Sequence, residues 1–228
     1  MSHVDADYPH GLRPHTWSIV VAGGSGLRFG GRKQFADLRG QSVLQRSLVT
    51  ASSVSGGVVV VVPADAVDDV ELDVANTEVV VVAGGDSRAS SVRAGLTVVP
   101  ETARFVLVHD AARPLASPAL FGSVVAVLSE GARAAVPVVA VSDTIRSRTD
   151  GVIDRDQLVA VQTPQGFAAS TLRKAHASGA EATDDATLAE AIGEVVMFVA
   201  GEAQNRKLTE PIDLVTAAAV LEYLEEHE

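Results

Sequence analysis

The sequence contains no cysteine. That excludes disulfides, thiolate metal sites and a cysteine nucleophile, and it suits a reducing, cytoplasmic setting. Long apolar runs are also missing. None reaches the ~18 residues of a membrane-crossing helix, although apolar residues make up 47% of the 228. Basic charge is scarce: the formal net charge is −11. Such a chain is a poor nucleic-acid binder, because that binding rests on basic surface. Any anion it takes must be held by a few placed cations against an unfavourable field. The only lysines are Lys33, Lys174 and Lys207. Residues 1–16 lack the charged-then-apolar order of a secretory signal and read as a loose polar leader. That leaves 17–228 as one domain with ample length for a core.

Glycine, by contrast, is concentrated in one place. The apolar run Trp17–Ala22 suits a buried strand, and five of the nine residues that follow, Gly23 to Gly31, are glycine. Arg28, Arg32 and Lys33 sit in or just after this loop. Glycine lets a backbone approach a ligand closely. A glycine-rich turn after a strand aims several N–H groups at one point, which makes an anion cradle.

Along the chain, β-branched runs alternate with helical periodicity. Strands are expected at 57–62, 78–82, 105–109, 134–141 and 194–199. Helices are expected at 42–54, 65–73, 88–98, 118–128 and 168–177, with one opening at Asp184-Asp185 under a Thr183 cap and a last one from Pro211. Pro137 within its strand predicts an edge or a bulge. Residues 142–161 are polar, turn at Asp150-Gly151, and read as a projecting β-hairpin arm; 162–167 read as a loop. The alternation argues an α/β fold with a mostly parallel sheet and helices on both faces. In such sheets ligands sit at the C-terminal strand ends. The glycine loop, Gly84-Gly85-Asp86 and Asp110 to Arg113 all fall there.

Two common glycine-loop readings fail on particular residues. A dinucleotide fingerprint needs two residues before its third glycine, but Gly24-Ser-Gly26-Leu-Arg-Phe-Gly30 has three. A P-loop needs lysine and then a hydroxyl after its last glycine, but Arg32 and Lys33 stand there. The remaining stretches, AGGSGLRFGGRKQF (22–35), GGDSRASSVRAGL (84–96), VHDAARP (108–114), VSDTIR (141–146), QTPQGF (162–167), TDDA (183–186) and NRKLTEPIDL (205–214), resemble a family taken as a set. That family is the 2-C-methyl-D-erythritol 4-phosphate cytidylyltransferases of the non-mevalonate isoprenoid pathway. An Ala-Gly-Gly opening after Val21 also resembles the ribitol 5-phosphate cytidylyltransferases, so both acceptors stay open. A nucleotide-binding regulator without turnover and a dehydrogenase are the readings from other classes.

The resemblance implies a Rossmann-like three-layer nucleotidyltransferase (nucleotide-diphospho-sugar transferase-like) fold. It also implies a homodimer built through the 142–161 arm, and a divalent metal, Mg2+, carried on the CTP phosphates. By resemblance, Arg28 and Lys33 hold the triphosphate, and Ala22, Gly23, Gly24 and Gly26 pack on the nucleotide. Gly84, Gly85, Asp86 and Ser91 contact base and ribose, with Asp86 alternatively only a helix cap. Asp110 and Ala111 lie beneath the ribose, Asp110 also near the metal and the acceptor. Arg113, Thr144, Arg155 and Lys207 serve the polyol phosphate. The catalytic residues are then Arg28, Lys33, Arg155 and Lys207. His109 is expected to be packed rather than catalytic, and Asp184 and Asp185 to cap a helix rather than bind metal.

Overall fold

The computed structural model describes residues 11–24 and 29–227. Gly26 and Arg28 of the glycine loop, and the first ten residues of the expected leader, lie outside the described residues. The leader is shorter than the sequence suggests. Thr16 is buried and already begins β1 (Thr16–Val21). The Arg13 guanidinium donates to the carbonyls of Ser52 and Ser55. A short ribbon, β2 (Asp37–Leu38) with β3 (Gln41–Ser42), leads into α1 (Val43–Val54). The Ser42 hydroxyl caps α1 by accepting from the Gln45 N–H, the usual remedy for an orphan amide.

β4 (Gly57–Val62) carries five consecutive valines, all fully buried. β-branched side chains fit a pleated surface packed on both faces, and the strand lies inside the sheet. β5 (Glu78–Ala83) has a similar composition but stays half-exposed because it is the edge strand. The expected helix over 65–73 does not form: only a single 3-10 turn, Ala64–Ala66, is present.

α2 (Arg88–Leu96) is capped by Ser87. β6 (Phe105–Asp110), α3 (Pro118–Ser129) and β7 (Ala134–Ala140) follow. The hairpin β8 (Ile145–Ser147) with β9 (Gly151–Ile153) projects as expected, and β10 (Val159–Val161) returns to pair with β7. Next, a strand replaces the expected loop. Residues Gln165–Ala168 form β11, inserted antiparallel between β6 and β7. Its four residues are too few to show a period, so only the vacant space between two strands could define it. α4 (Ala169–His176), α5 (Asp185–Ala191), β12 (Val196–Ala200) and α6 (Pro211–His227) complete the chain. Asp184, not Thr183, caps α5.

The sheet order is β5-β4-β1-β6-β11-β7, with β10 and β12 also on β7. Pairing is parallel except where β10 and β11 join. Pro137 is not on an edge, since β12 flanks it. Nor is there a bulge: opposite Pro137 the neighbouring chain leaves the sheet between β10 and β11. Gly166 pairs with Ala135 and Val161 with Val138, and 162–164 between them lie in no strand. Alternate valines of β4 point to opposite faces. Val58, Val60 and Val62 pack with α1 and α3, and Val59 and Val61 with α2 and α4. This gives three layers around the sheet.

Candidate active site

β1 and β6 are adjacent and parallel, so their C-terminal ends open side by side. The Ala111 N–H donates to the Val21 carbonyl at 3.0 Å, and the Ala22 N–H to the Val61 carbonyl at 2.7 Å. These bonds carry the ladders one residue past the strands, and a cavity of about 470 Å³ opens at that end. Of the expected residues, Ala22, Gly23, Gly24, Lys33, Gly85, Asp86, Ser91, Asp110, Ala111 and Lys207 line it.

Small residues keep the cavity open. Gly24 lines the cavity, and a Cβ on it would meet no described atom within 4 Å. Gly84 sits just behind the wall with its N–H on the Val62 carbonyl, and a Cβ on it would come within 2.8 Å of the Ser91 hydroxyl. The Ser91 hydroxyl donates to the Ser87 carbonyl at 2.8 Å and accepts from the Gly85 N–H at 3.2 Å. It thereby shapes the Gly84–Asp86 turn. Asp86 is exposed at the rim, and the cap of α2 is Ser87, so the alternative role of Asp86 as a cap does not hold.

The cations come from distant parts of the chain. Lys33 follows the glycine loop, and its Nζ donates to the Leu208 carbonyl at 2.7 Å. Lys207 lies on the segment between β12 and α6. Its Nζ donates to Asp110 Oδ2 at 2.6 Å, and its side chain stays 42% exposed toward the cavity. The Leu208 N–H donates to the Ala112 carbonyl at 2.7 Å and pins this segment over the end of β6.

Asp110 is the buried carboxylate of the site. Burial alone would raise its pKa, but Arg88 and Lys207 outweigh that and hold the carboxyl well below the usual range. Arg88 Nε donates to Asp110 Oδ1 at 3.1 Å. Burial would likewise lower the Arg88 guanidinium, but Asp185 and Asp110 hold it above its ordinary value. Arg88 was not expected at the site. A clue was available: it occupies the first position of α2, where a cation opposes the helix dipole. A basic residue placed against a local rule signals another duty.

Arg113 does not line the cavity. Its guanidinium donates to the Asn205 carbonyl at 2.7 Å and the Val161 carbonyl at 3.2 Å, and so ties loops together. Thr144 and Arg155 are also outside it, both exposed on the arm, with Arg155 donating to the Ser142 carbonyl at 2.6 Å. His109 is packed: it is fully buried, and Nδ1 lies 3.0 Å from the Thr163 hydroxyl. Burial pushes its pKa down to about 4, so it is neutral near pH 7. Asp184 caps α5 as expected, but Asp185 is a buried ion-pair partner of Arg88.

Among the described residues, no group of three or more His, Asp or Glu side chains is placed to hold a metal, and no helix is long and apolar enough to cross a membrane. One deep carboxylate, Asp110, paired with Arg88 and Lys207, and Asp86 at the rim fit an ion such as Mg2+, which is commonly bound by one or two carboxylates and the substrate's own phosphates. They do not fit a protein cage.

Residues 16–223 match the family model for 2-C-methyl-D-erythritol 4-phosphate cytidylyltransferase. The chain is 45% identical over 215 residues to the protein of that description from Rhodococcus opacus (strain B4), covering 90% of this chain and 94% of the other. A crystal structure of the corresponding protein from Thermus thermophilus is similar, with TM-score 0.76, 34% identity, and coverage of 90% of this chain and 98% of that one. The 4-diphosphocytidyl-2C-methyl-D-erythritol synthase of Anaerococcus prevotii matches with TM-score 0.77 at 26% identity, over 91% of this chain and 98% of the other.

Proposed function

Because the chain belongs to the 2-C-methyl-D-erythritol 4-phosphate cytidylyltransferase family, we propose that its cavity is the site of cytidylyl transfer, with CTP seated on the glycine wall. The enzyme is a nucleotidyltransferase of isoprenoid precursor biosynthesis. It converts CTP and 2-C-methyl-D-erythritol 4-phosphate to 4-diphosphocytidyl-2-C-methyl-D-erythritol and pyrophosphate. A phosphate oxygen of the acceptor forms a bond to the α-phosphorus of CTP. The bond from that phosphorus to the oxygen bridging to the β-phosphate breaks, and pyrophosphate departs. The nucleophile is already an anion, so no general base is required. The difficulty is charge, and the remedy is positioning with preorganised cations and amides.

Within this reading Lys33 faces the triphosphate, and Arg28 belongs with it. Gly84, Gly85 and Ser91 shape the place of the base and ribose. Lys207, steadied by Asp110, faces the phosphate of the acceptor. When bound on the CTP phosphates, Mg2+ supplies charge neutralisation at the reacting phosphorus, with Asp110 the residue nearest to hand. The observation that carries the reading is the convergence of Lys33, Lys207 and Asp110 on one glycine-walled cavity.

Thr144 and Arg155 stand outside the cavity of their own chain. The arm also exposes apolar surface at Val152 and Ile153, and the neighbouring β10 does so at Val159 and Val161. Both facts support a homodimer in which the arm reaches the partner's site. The absence of cysteine supports a cytoplasmic enzyme. The test is to incubate the protein with CTP, Mg2+ and either 2-C-methyl-D-erythritol 4-phosphate or ribitol 5-phosphate while following pyrophosphate. Release with the erythritol phosphate is expected. Release with ribitol phosphate alone, or CTP binding without turnover, would overturn the assignment.

A further inference from the structure

A line of paired polar side chains runs from the cavity, which Lys207, Asp110 and Arg88 line, into the core. Lys207 meets Asp110 at 2.6 Å, Asp110 meets Arg88 at 3.1 Å, Arg88 Nη1 meets Asp185 Oδ2 at 2.7 Å, and Asp185 Oδ1 meets His176 Nε2 at 2.9 Å. Lys207 is 42% exposed, whereas Asp185 and His176 are almost wholly enclosed. We propose that Asp185, backed by His176, is a positioning residue for the transfer: it fixes the Arg88 guanidinium, which fixes Asp110 and through it Lys207. The proposal rests on the cytidylyl-transfer reading given above.

Three observations carry it. First, Arg88 uses different nitrogens for the two carboxylates, Nε for Asp110 and Nη1 for Asp185. A planar guanidinium held at both edges cannot rotate, and so it defines where the Asp110 carboxylate sits. Second, Asp185 is itself clamped. Its N–H and that of Ala186 both donate to Gln165 Oε1, at 3.0 and 3.2 Å, and Gln165 lies buried on the inserted strand β11. Third, the set is balanced: two carboxylates face the two fixed cations Arg88 and Lys207. Stability alone does not explain such a set, since buried ion pairs are often replaceable by apolar residues at no loss. Precise placement does, because a shift of about 1 Å at a reacting group costs up to about a hundredfold in rate.

The line ends on Asp110 and Lys207 and does not include Lys33, so its loss falls on the transfer step and the acceptor more than on the grip of the triphosphate. Asp185→Asn is expected to lower kcat/KM for 2-C-methyl-D-erythritol 4-phosphate at least about tenfold. The KM for CTP is expected to change less than about threefold. Arg88→Lys keeps the charge but not the two-edged grip, and the same loss is expected. In the double variant the two losses should not multiply, because both break one line. A merely structural Asp185 would lower thermal stability while leaving the KM pattern flat and the losses additive. Wild-type kinetics in Asp185→Asn, or losses that multiply with Arg88→Lys, would overturn the proposal. If Asp185→Asn does not fold, Asp185→Glu replaces it, since the longer arm keeps the charge and displaces Arg88; the same non-additivity is required. A wild-type protein inactive with CTP and the erythritol phosphate would sink the functional reading itself. An active wild type with an indifferent Asp185 sinks only the positioning role.

Discussion

Lys33 and His109 illustrate how little a residue's type says until its surroundings are known. Lys33 reaches the cavity from a short 3-10 turn and rests on the Leu208 carbonyl. Replacing it by alanine removes a cation from the cavity and little packing. Lys33→Ala should therefore lower turnover at least about a hundredfold while the melting temperature stays close to that of the wild type. Pyrophosphate release and a thermal melt measure the two separately. Lys33→Arg should not restore full rate, because a planar fork does not replace a compact charge.

His109, the adjacent neighbour of Asp110, is in the fold for packing, and its signature is in stability. Its ordinary pKa is 6.5, and burial pushes it down to about 4. Between those values the unfolded chain binds the extra proton and the native one does not. Stability is then full above about pH 6.5 and falls as pH drops toward 4, by up to about 3 kcal/mol. Urea midpoints at pH 7.5 and pH 5 check this, and His109→Gln should flatten the difference.

At the scale of elements, the inserted strand β11 has the largest consequences. It separates β6 from β7 and carries Gln165, the clamp on Asp185. It begins just beyond Thr163, whose hydroxyl accepts from the Asp110 N–H at 3.1 Å. Gly166 lies under α3. A Cβ there would overlap Val124 and press on Leu107 and Leu128, each at 3.0 Å. Gly166→Ala is accordingly expected to destabilise the protein by about 1–3 kcal/mol through overpacking, seen as an earlier denaturant midpoint. The expected loop at 162–167 holds over 162–164 but gives way to β11 from Gln165, because a strand buried between two others needs no alternation of its own. The expected helix at 65–73 stops after one turn: Val67, Val70, Leu72 and Val74 still pack against the core, but the backbone runs on as turn and irregular chain.

For the molecule as a whole, the proposed homodimer would bring the arm of one protomer to the site of its partner. With a partner arm supplying Arg155, Arg155→Ala should raise the KM for the polyol phosphate several-fold more than the KM for CTP. Light scattering should give twice the chain mass. A monomeric wild type that remains fully active, or equal effects on both KM values, would remove the arm from the mechanism.

Much was decided by sequence alone. Runs of valine ended by glycine or proline specify strands, and their alternation with helical periodicity specifies a layered α/β sheet. The glycine loop with Lys33, the Gly84–Ser91 stretch and Asp110 were recognisable because each is a short, contiguous pattern with its own chemistry. Tertiary structure decided what depends on contact between distant segments. It placed Lys207 on Asp110, turned Arg113 away into the loops, left Thr144 and Arg155 outside the cavity, and joined Arg88 to Asp185 and His176. A side chain's neighbour far along the chain is set by how the strands close and which helix covers them. No local pattern carries that information, so the line of paired side chains from the site into the core appears only in the folded molecule.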